Sequence, residues 1–413
     1  MKNEKYLESK SLSLVLFVFV FLLYAVVYMT KNMFSSAMAT IVEEGFMTKS
    51  QTGLINAVFW LVYAPFQVVG GFAADKYSPY KLIVIGLVGA MVANIVIYFN
   101  QSYPVMMGAW VFNAIVQFGL WPGVFKIVST QTAPSMRETS IFWLLFSTSV
   151  GLGFSMLIAS FVKHWQQNFL VSVVSLLVTL LLFIFLYNYL ERKMVTKGPK
   201  VIADNKFSTK EKAPMIPLML SSGLVVFLVT CLLRVSIDNG IKMMTPVMLM
   251  ESYKELPAAL ATRISSVLII FSAIGTFVSG FMKRKITSNE IKAQITFYIV
   301  SAFPLLAVCF VGEIPYIWIL TALCGAVMLV QGAGPFNQSF AALRFEKYGR
   351  IGTVSGILNA TASIGNILAS YVFAKMAELM PWREVAVSWL MVIVISIVLC
   401  ASVLRRWTKF IEN

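Results

Sequence analysis

The chain has 413 residues, of which 59% are hydrophobic and only 12% charged. A water-soluble domain is nearer half apolar and about a quarter charged, so this chain reads as an integral membrane protein. Four cysteines scattered through apolar runs exclude a disulfide-stapled scaffold, and the formal charge of +15 acquires meaning only from where the basic residues lie.

Runs of about 18 to 25 mostly apolar residues recur along the sequence, each long enough as a helix to cross a hydrocarbon core about 30 Å thick. Twelve spans are predicted, at 12–35, 52–73, 82–100, 104–128, 140–162, 168–190, 216–249, 262–281, 291–311, 315–342, 352–374 and 384–404. None shows the alternation of barrel strands, so the fold class is all-α integral membrane. Ala37-Met38-Ala39 is a weak cleavage-like triplet, but Lys31 interrupts the apolar run before it, and a retained first helix is expected.

In the first span Tyr24, Tyr28 and Lys31 share a face at helical spacing, with Ser35 one turn on, which makes a polar stripe facing a central cavity. Gly71 to Lys76 falls in the loop after span two, and Gln117 and Trp121 stand one turn apart in span four. Residues 191–215 are polar, rich in lysine and include Gly198-Pro199, and they read as a cytoplasmic linker between bundles at 1–190 and 216–413. The bundles echo one another. Val27-Tyr28-Met29-Thr30-Lys31 matches Thr230-Cys231-Leu232-Leu233-Arg234, and Gly71-Phe72 matches Gly280-Phe281. Two such halves of parallel topology are a transporter design with a site near the midplane.

Four charges lie inside spans: Lys31, Arg234, Asp238 and Lys242. A buried cation costs about 2.5 to 3.5 kcal/mol even on the lenient insertion scale, so each needs a reason. Lys31 and Arg234 at similar depth describe a pocket for a small anion, with Arg supplying a fork and Lys a mobile point charge. The alternative is that Arg234 and Asp238, four residues apart, neutralise each other while Lys31 snorkels to a surface. Asn337, Gln338, Asn359, Ser363 and Asn366 bind substrate or glue helices, and glue is expected for most.

Most of the basic residues fall on one side of the spans, leaving Lys49, Lys163, Lys254, Arg263, Lys375 and Arg383 on the other. This asymmetry predicts a plasma (inner) membrane protein with both termini cytoplasmic, and it explains the net charge by the lipid bilayer with no nucleic acid partner. Two fused halves complete a pathway in a monomer. A P-loop, a zinc-ligand cluster and a Ser/His/Asp or Cys/His constellation are missing, and His164 is the one histidine, so neither an enzyme nor a cofactor is expected.

The segment Gly71-Phe72-Ala73-Ala74-Asp75-Lys76 resembles the Gly-x-x-x-Asp-Arg/Lys signature of the major facilitator superfamily. The resemblance implies the major facilitator fold, twelve transmembrane helices in two six-helix pseudo-symmetric halves, with Gly71, Asp75 and Lys76 in a cytoplasmic gating loop. Ser78, Pro79 and Tyr80 depart from the signature, and the second-half copy keeps Gly280 but lacks the acid, so one strong lock is expected. A closer resemblance, to the organophosphate:phosphate antiporters, rests on Tyr24 to Phe46, on Gln117-Phe118-Gly119-Leu120-Trp121-Pro122, on Leu233-Arg234 and on Gly334-Pro335 followed by Gly352-Thr353 and Gly356. In that family two arginines clasp phosphate. Arg234 matches one, and Lys31 takes the other position with the charge kept and the fork lost. The family's fifth-span histidine is replaced at about Thr148, and span four has Asn113 and Ala114 where many proton-driven exporters carry charge. These residues predict a secondary active transporter of a small organic anion, an organophosphate such as a sugar or glycerol phosphate exchanged for phosphate, working by alternating access. Its substrate-binding set is Lys31, Arg234, Tyr28, Tyr24, Gln117, Trp121, Asp238 and Lys242. The alternatives are a proton-coupled carboxylate symporter or amphiphile exporter using Asp238, and a transporter-like sensor.

Overall fold

The computed structural model describes residues 5–144, 146–196, 215–345, 348 and 351–412. Of the linker expected at 191–215, residues 197–214 lie outside the described residues. Twelve long helices carry the architecture: α1 (Lys10–Glu43), α2 (Lys49–Lys76), α3 (Pro79–Phe99), α4 (Tyr103–Gln131), α5 (Thr139–Phe161), α6 (Gln167–Glu191), α7 (Leu224–Ser252), α8 (Ala258–Lys285), α9 (Glu290–Val308), α10 (Tyr316–Phe340), α11 (Ile351–Ile367 on through Phe373–Leu379) and α12 (Trp382–Glu412). Among the described residues eleven of them are apolar enough to cross a membrane by length and composition. The twelfth, α2, is 28 residues long.

Two local departures from the expected spans have clear causes. The seventh is two helices, Met215–Ser222 and α7, because Gly223 adopts φ +83, a left-handed conformation that costs only glycine nothing. A two-residue antiparallel pair, Lys5–Tyr6 against Val195–Thr196, was not anticipated by an all-helical reading, since strands this short carry no periodicity.

Packing divides the chain into two units, one of Met1–Thr40 with Val58–Lys206 and one of Ile41–Ala57 with Phe207–Asn413. Within the first, α1 packs on α5 and α6, and α3 packs on α4 and α6; within the second, α7 packs on α11 and α12, and α9 packs on α10 and α12. The same neighbours thus recur six helices later, as a repeat requires. Glycine makes the close approaches. A Cβ at Gly151 of α5 would run into the Ala25 carbonyl of α1, and one at Gly365 of α11 into the Leu232 carbonyl of α7. Gly70 of α2 meets the Phe118 carbonyl of α4, and Gly275 of α8 meets the Met328 carbonyl of α10, in the same pairing. Helices in lipid gain little from apolar contact with each other, so such backbone approach is what packs them.

Residues 41–57 are held within the second unit by polar contacts. Glu43 accepts the Ala258 N–H at 3.2 Å, Glu378 accepts the Ser50 N–H at 3.1 Å, and Lys49 pairs with Glu251 at 2.9 Å. Each acceptor on a helix N-terminus meets the positive end of a macrodipole. Trp382 Nε1 donates to the same Glu251 at 2.8 Å.

Gly275→Leu and Gly151→Leu are each expected to cost about 1–3 kcal/mol by overpacking and to lower the melting temperature in detergent. Gly108→Ala, where an added Cβ meets nothing within 4 Å, should leave it unchanged or raise it slightly. Equal loss in all three would remove the packing account.

Candidate functional site

In the first unit the α1 stripe is buried rather than open. Tyr24 and Lys31 are each 4% exposed, and Tyr28 is half-buried. The Lys31 ammonium lies 3.8 Å from the centroid of Tyr63, with Tyr28 at 5.6 Å, Trp60 at 5.8 Å and Phe59 at 6.0 Å. It has no carboxylate partner among the described residues. Four aromatic faces therefore cage the cation and offset part of its desolvation through their quadrupoles. Phe59, Trp60 and Tyr63 of α2 were missed by sequence reasoning, although Phe59-Trp60-Leu61-Val62-Tyr63 repeats at helical spacing and could have been read as one aromatic face.

Trp121 of α4 packs against Tyr24 with the rings tilted, centroids 4.9 Å apart, so these two predicted residues meet. Gln117 is fully buried and donates to Asn113 at 2.7 Å, leaving its own Oε1 and the Asn113 Nδ2 without partners among the described residues. It opens a 3-10 turn, Gln117–Gly119, inside α4. Pro122 is the cause, since it cannot donate to the Phe118 carbonyl. The matching helix α10 is likewise irregular: Pro335 precedes a π turn at Phe336–Phe340, and such turns often sit at functional sites.

In the second unit Arg234, 4% exposed, donates from its two terminal nitrogens to Gln331 at 3.2 Å and Gln338 at 3.3 Å, both on α10. Gly334 leaves room for the guanidinium between them, since an added Cβ would come within 3.1 Å of Nη1. Arg234 Nε lacks a partner. Asp238 does not neutralise Arg234 as one reading of the sequence allowed. It pairs with Lys242 at 2.7 Å, and Lys242 also donates to Ser272 at 2.8 Å. Spacing alone could not choose, because Asp238 stands four residues from both cations. Asp238 Oδ1 remains without a partner.

Asn337 is glue, donating to Thr230 and Gln294, both at 3.0 Å, and Asn239 donates to Asn366 at 2.5 Å. The predicted gating residues Gly71, Asp75 and Lys76 lie in the last turns of α2 rather than in a loop, because the helix runs on until the extended Ser78 before Pro79. Their side chains lie outside the described residues. Lys126 closes that helix end by donating to the Ala74 carbonyl, and to that of Tyr77 at 3.5 Å. The second half was expected to lack an acid here. The motif copy holds Arg284 at that position, and Glu290, beyond it at the start of α9 and 1% exposed, accepts from Arg344 at 2.8 Å and Trp407 at 3.0 Å.

A helical repeat, irregular α4 and α10, and a buried arginine without a carboxylate partner among the described residues are features of one known family. The sequence model of the Major Facilitator Superfamily matches residues 20–370. The chain belongs to that superfamily. Its relatives bear out the resemblance to organophosphate:phosphate antiporters. It is 28% identical over 138 residues to the probable hexose phosphate transport protein of Chlamydia trachomatis, covering 33% of this chain and 30% of that one. It is 27% identical over 130 residues to the membrane sensor protein UhpC of Escherichia coli, covering 32% and 29%. It is 26% identical over 157 residues to the phosphoglycerate transporter protein of Salmonella typhimurium, covering 36% and 33%. The matched segment spans about a third of the length of each curated relative. In fold, the chain superposes on a bacterial homologue of the human lysosomal transporter Spinster with TM-score 0.75 at 16% identity, over 97% of this chain and 99% of that one. The superfamily is one of multi-pass membrane transporters, not enzymes.

Lys242→Met, which leaves Asp238 buried and unpaired, is expected to cost about 3–5 kcal/mol. Combining it with Asp238→Asn should recover most of that loss in thermal unfolding. A double variant as unstable as the single one would show that the pair is not the source of the cost.

Proposed function

We propose that this chain is a secondary transporter of a small organic anion, an organophosphate exchanged for phosphate, and that Arg234 is its principal anion-binding group. The observation that carries the reading is the state of Arg234. It is buried, holds its charge against two neutral amide oxygens and has no carboxylate partner among the described residues. A phosphate offers the same fork charged oxygens in a geometry it can hold at two points, which adds ion-pair attraction to bonds that the guanidinium already makes to amides. Relatives that are named for hexose phosphate and phosphoglycerate support this substrate class.

Lys31 serves as the second cation, its fork lost but its charge kept. Tyr24, Tyr28, Gln117 and Trp121 accompany it as substrate-facing residues, and Asp238 with Lys242 forms a neutral pair beside Arg234. The protein resides in the plasma membrane with both termini cytoplasmic and acts as a monomer. Anion binding stabilises the closing of one access route and the opening of the other, and the Gly71, Asp75 and Lys76 end of α2 gates the cytoplasmic side. A second reading, a transporter-like sensor that binds the same anion without moving it, is favoured by the likeness to UhpC.

Phosphate-loaded proteoliposomes given labelled glycerol-3-phosphate, a hexose phosphate and a dicarboxylate decide among these. Uptake of a phosphorylated substrate should require internal phosphate and fall at least about tenfold in Arg234→Ala, the loss of one charge-assisted bond. Lys31→Ala should fall similarly, and Arg234→Lys should retain less than native activity. Saturable substrate binding without uptake would instead establish the sensor reading. Normal transport in both alanine variants would sink the two-cation assignment.

A further inference from the structure

Helix α6 turns one stripe inward, with Phe169, Ser172, Leu176, Phe183, Tyr187 and Leu190 buried towards α1 and α3. Its opposite stripe is open: Leu181 is 58% exposed, Phe185 73% and Tyr189 51%. On that face lies a groove of about 370 Å³ lined by Leu181, Ile184, Phe185, Asn188, Tyr189 and Arg192. These residues recur at intervals of three and four, so they form a continuous strip along the helix. From Leu181 to Arg192 the strip is about 16 Å long.

The chemistry changes in order along this strip. It begins aliphatic, passes an aromatic ring, reaches the amide of Asn188 and the phenol of Tyr189, and ends at a guanidinium. Lys193 follows, its ammonium 6.0 Å from the Tyr189 ring centroid. Arg192 has no acidic partner among the described residues, and Glu191 belongs by spacing to the Tyr187 stripe. A helix of 25 residues is about 37 Å long, so an end carrying Tyr189 and Arg192 reaches the headgroup level of a core about 30 Å thick. Tyrosine and arginine are the residues that anchor there.

We propose that this groove is a binding site for one anionic phospholipid. An acyl chain lies along Leu181, Ile184 and Phe185, the ester region meets Asn188 and Tyr189, and the phosphate is held by Arg192 with Lys193 beside it. The fork of Arg192 matches two phosphate oxygens. A zwitterionic headgroup carries an ammonium that would face two cations, so the site selects lipids of net negative charge. The partial negative charge of the α6 C-terminus opposes an anion, but both cations stand beyond the last helical turn and meet the phosphate first.

Native mass spectrometry of the delipidated full chain, titrated with phosphatidylglycerol or with phosphatidylcholine of the same acyl chains, tests this. The native protein should retain a phosphatidylglycerol adduct at least about fivefold more strongly than phosphatidylcholine, and the doubly substituted Arg192→Ala, Lys193→Ala protein should lose about fivefold for each basic residue removed. Phe185→Ala should weaken both lipids together, and Arg405→Ala should change neither. Equal retention of the two lipids by the native chain, an undiminished adduct in the double variant, or displacement of the lipid by millimolar glycerol phosphate would overturn the proposal.

Discussion

The rest of the structure depends on one constraint: a cation inside a hydrocarbon layer must be compensated by something. Lys31 and Arg234 receive no carboxylate among the described residues, and each is compensated differently. Burying either costs about 2.5–3.5 kcal/mol on the insertion scale. The Tyr63 face, with the cation 3.8 Å from its centroid, returns about 2 kcal/mol when desolvated. Aromatic rings, however, supply no lone pairs in the hydrogen-bonding sense, so the ammonium keeps unspent donor capacity. Arg234 is better supplied with acceptors, yet Gln331 and Gln338 are neutral and its Nε has none.

The helices are shaped to make that compensation possible. Gln331 and Gln338 reach one guanidinium because α10 is not a regular α-helix between them. Pro335 frees the Gln331 carbonyl, and the chain widens into a π turn over Phe336–Phe340. A regular helix would bring residues seven apart onto one face two turns from each other, and the inserted turn changes their relative position around the fork. In α4 the corresponding disruption by Pro122 tightens Gln117–Gly119 and leaves the Phe118 carbonyl where Gly70 packs. Irregular backbone at membrane depth is tolerated where it is buried in protein, as Gln117, Gly119, Phe336 and Asn337 are.

The architecture was largely legible in the sequence because it follows from average properties. Span length and apolarity each sum over many residues, so local errors such as the Gly223 break hardly disturb them. The repeat was legible too, since Lys31 and Arg234 stand in matching segments, and Gly71-Phe72 and Gly280-Phe281 in matching helix ends. Which of the candidate residues touch one another was not legible. Asp238 is equidistant in sequence from Arg234 and Lys242, and only the direction of side chains relative to α8, which brings Ser272 to Lys242, decides between them. The aromatic cage was missed for a related reason. Phe59, Trp60 and Tyr63 look like ordinary core or interfacial aromatics until the partner helix places a charge among them. Glu290 was missed because the acid lies beyond the motif-like segment, at the start of the next helix.

The contrast between the two cations bears on how an anion would exchange. Gln331 and Gln338 already satisfy two donors of Arg234 with charge-assisted bonds, so an anion that displaced them would gain only the added attraction of its own charge. That is a modest differential, and modest is what turnover requires, since a group bound for release on the far side cannot sit in a deep well. Lys31 follows the same logic with a different restraint. Its charge is held by the faces of four rings rather than by hydrogen-bond acceptors. The Arg-to-Lys exchange at this position therefore does more than lose a fork. In the proposed site Lys31 would supply a shielded point charge, and the fork would come from Arg234.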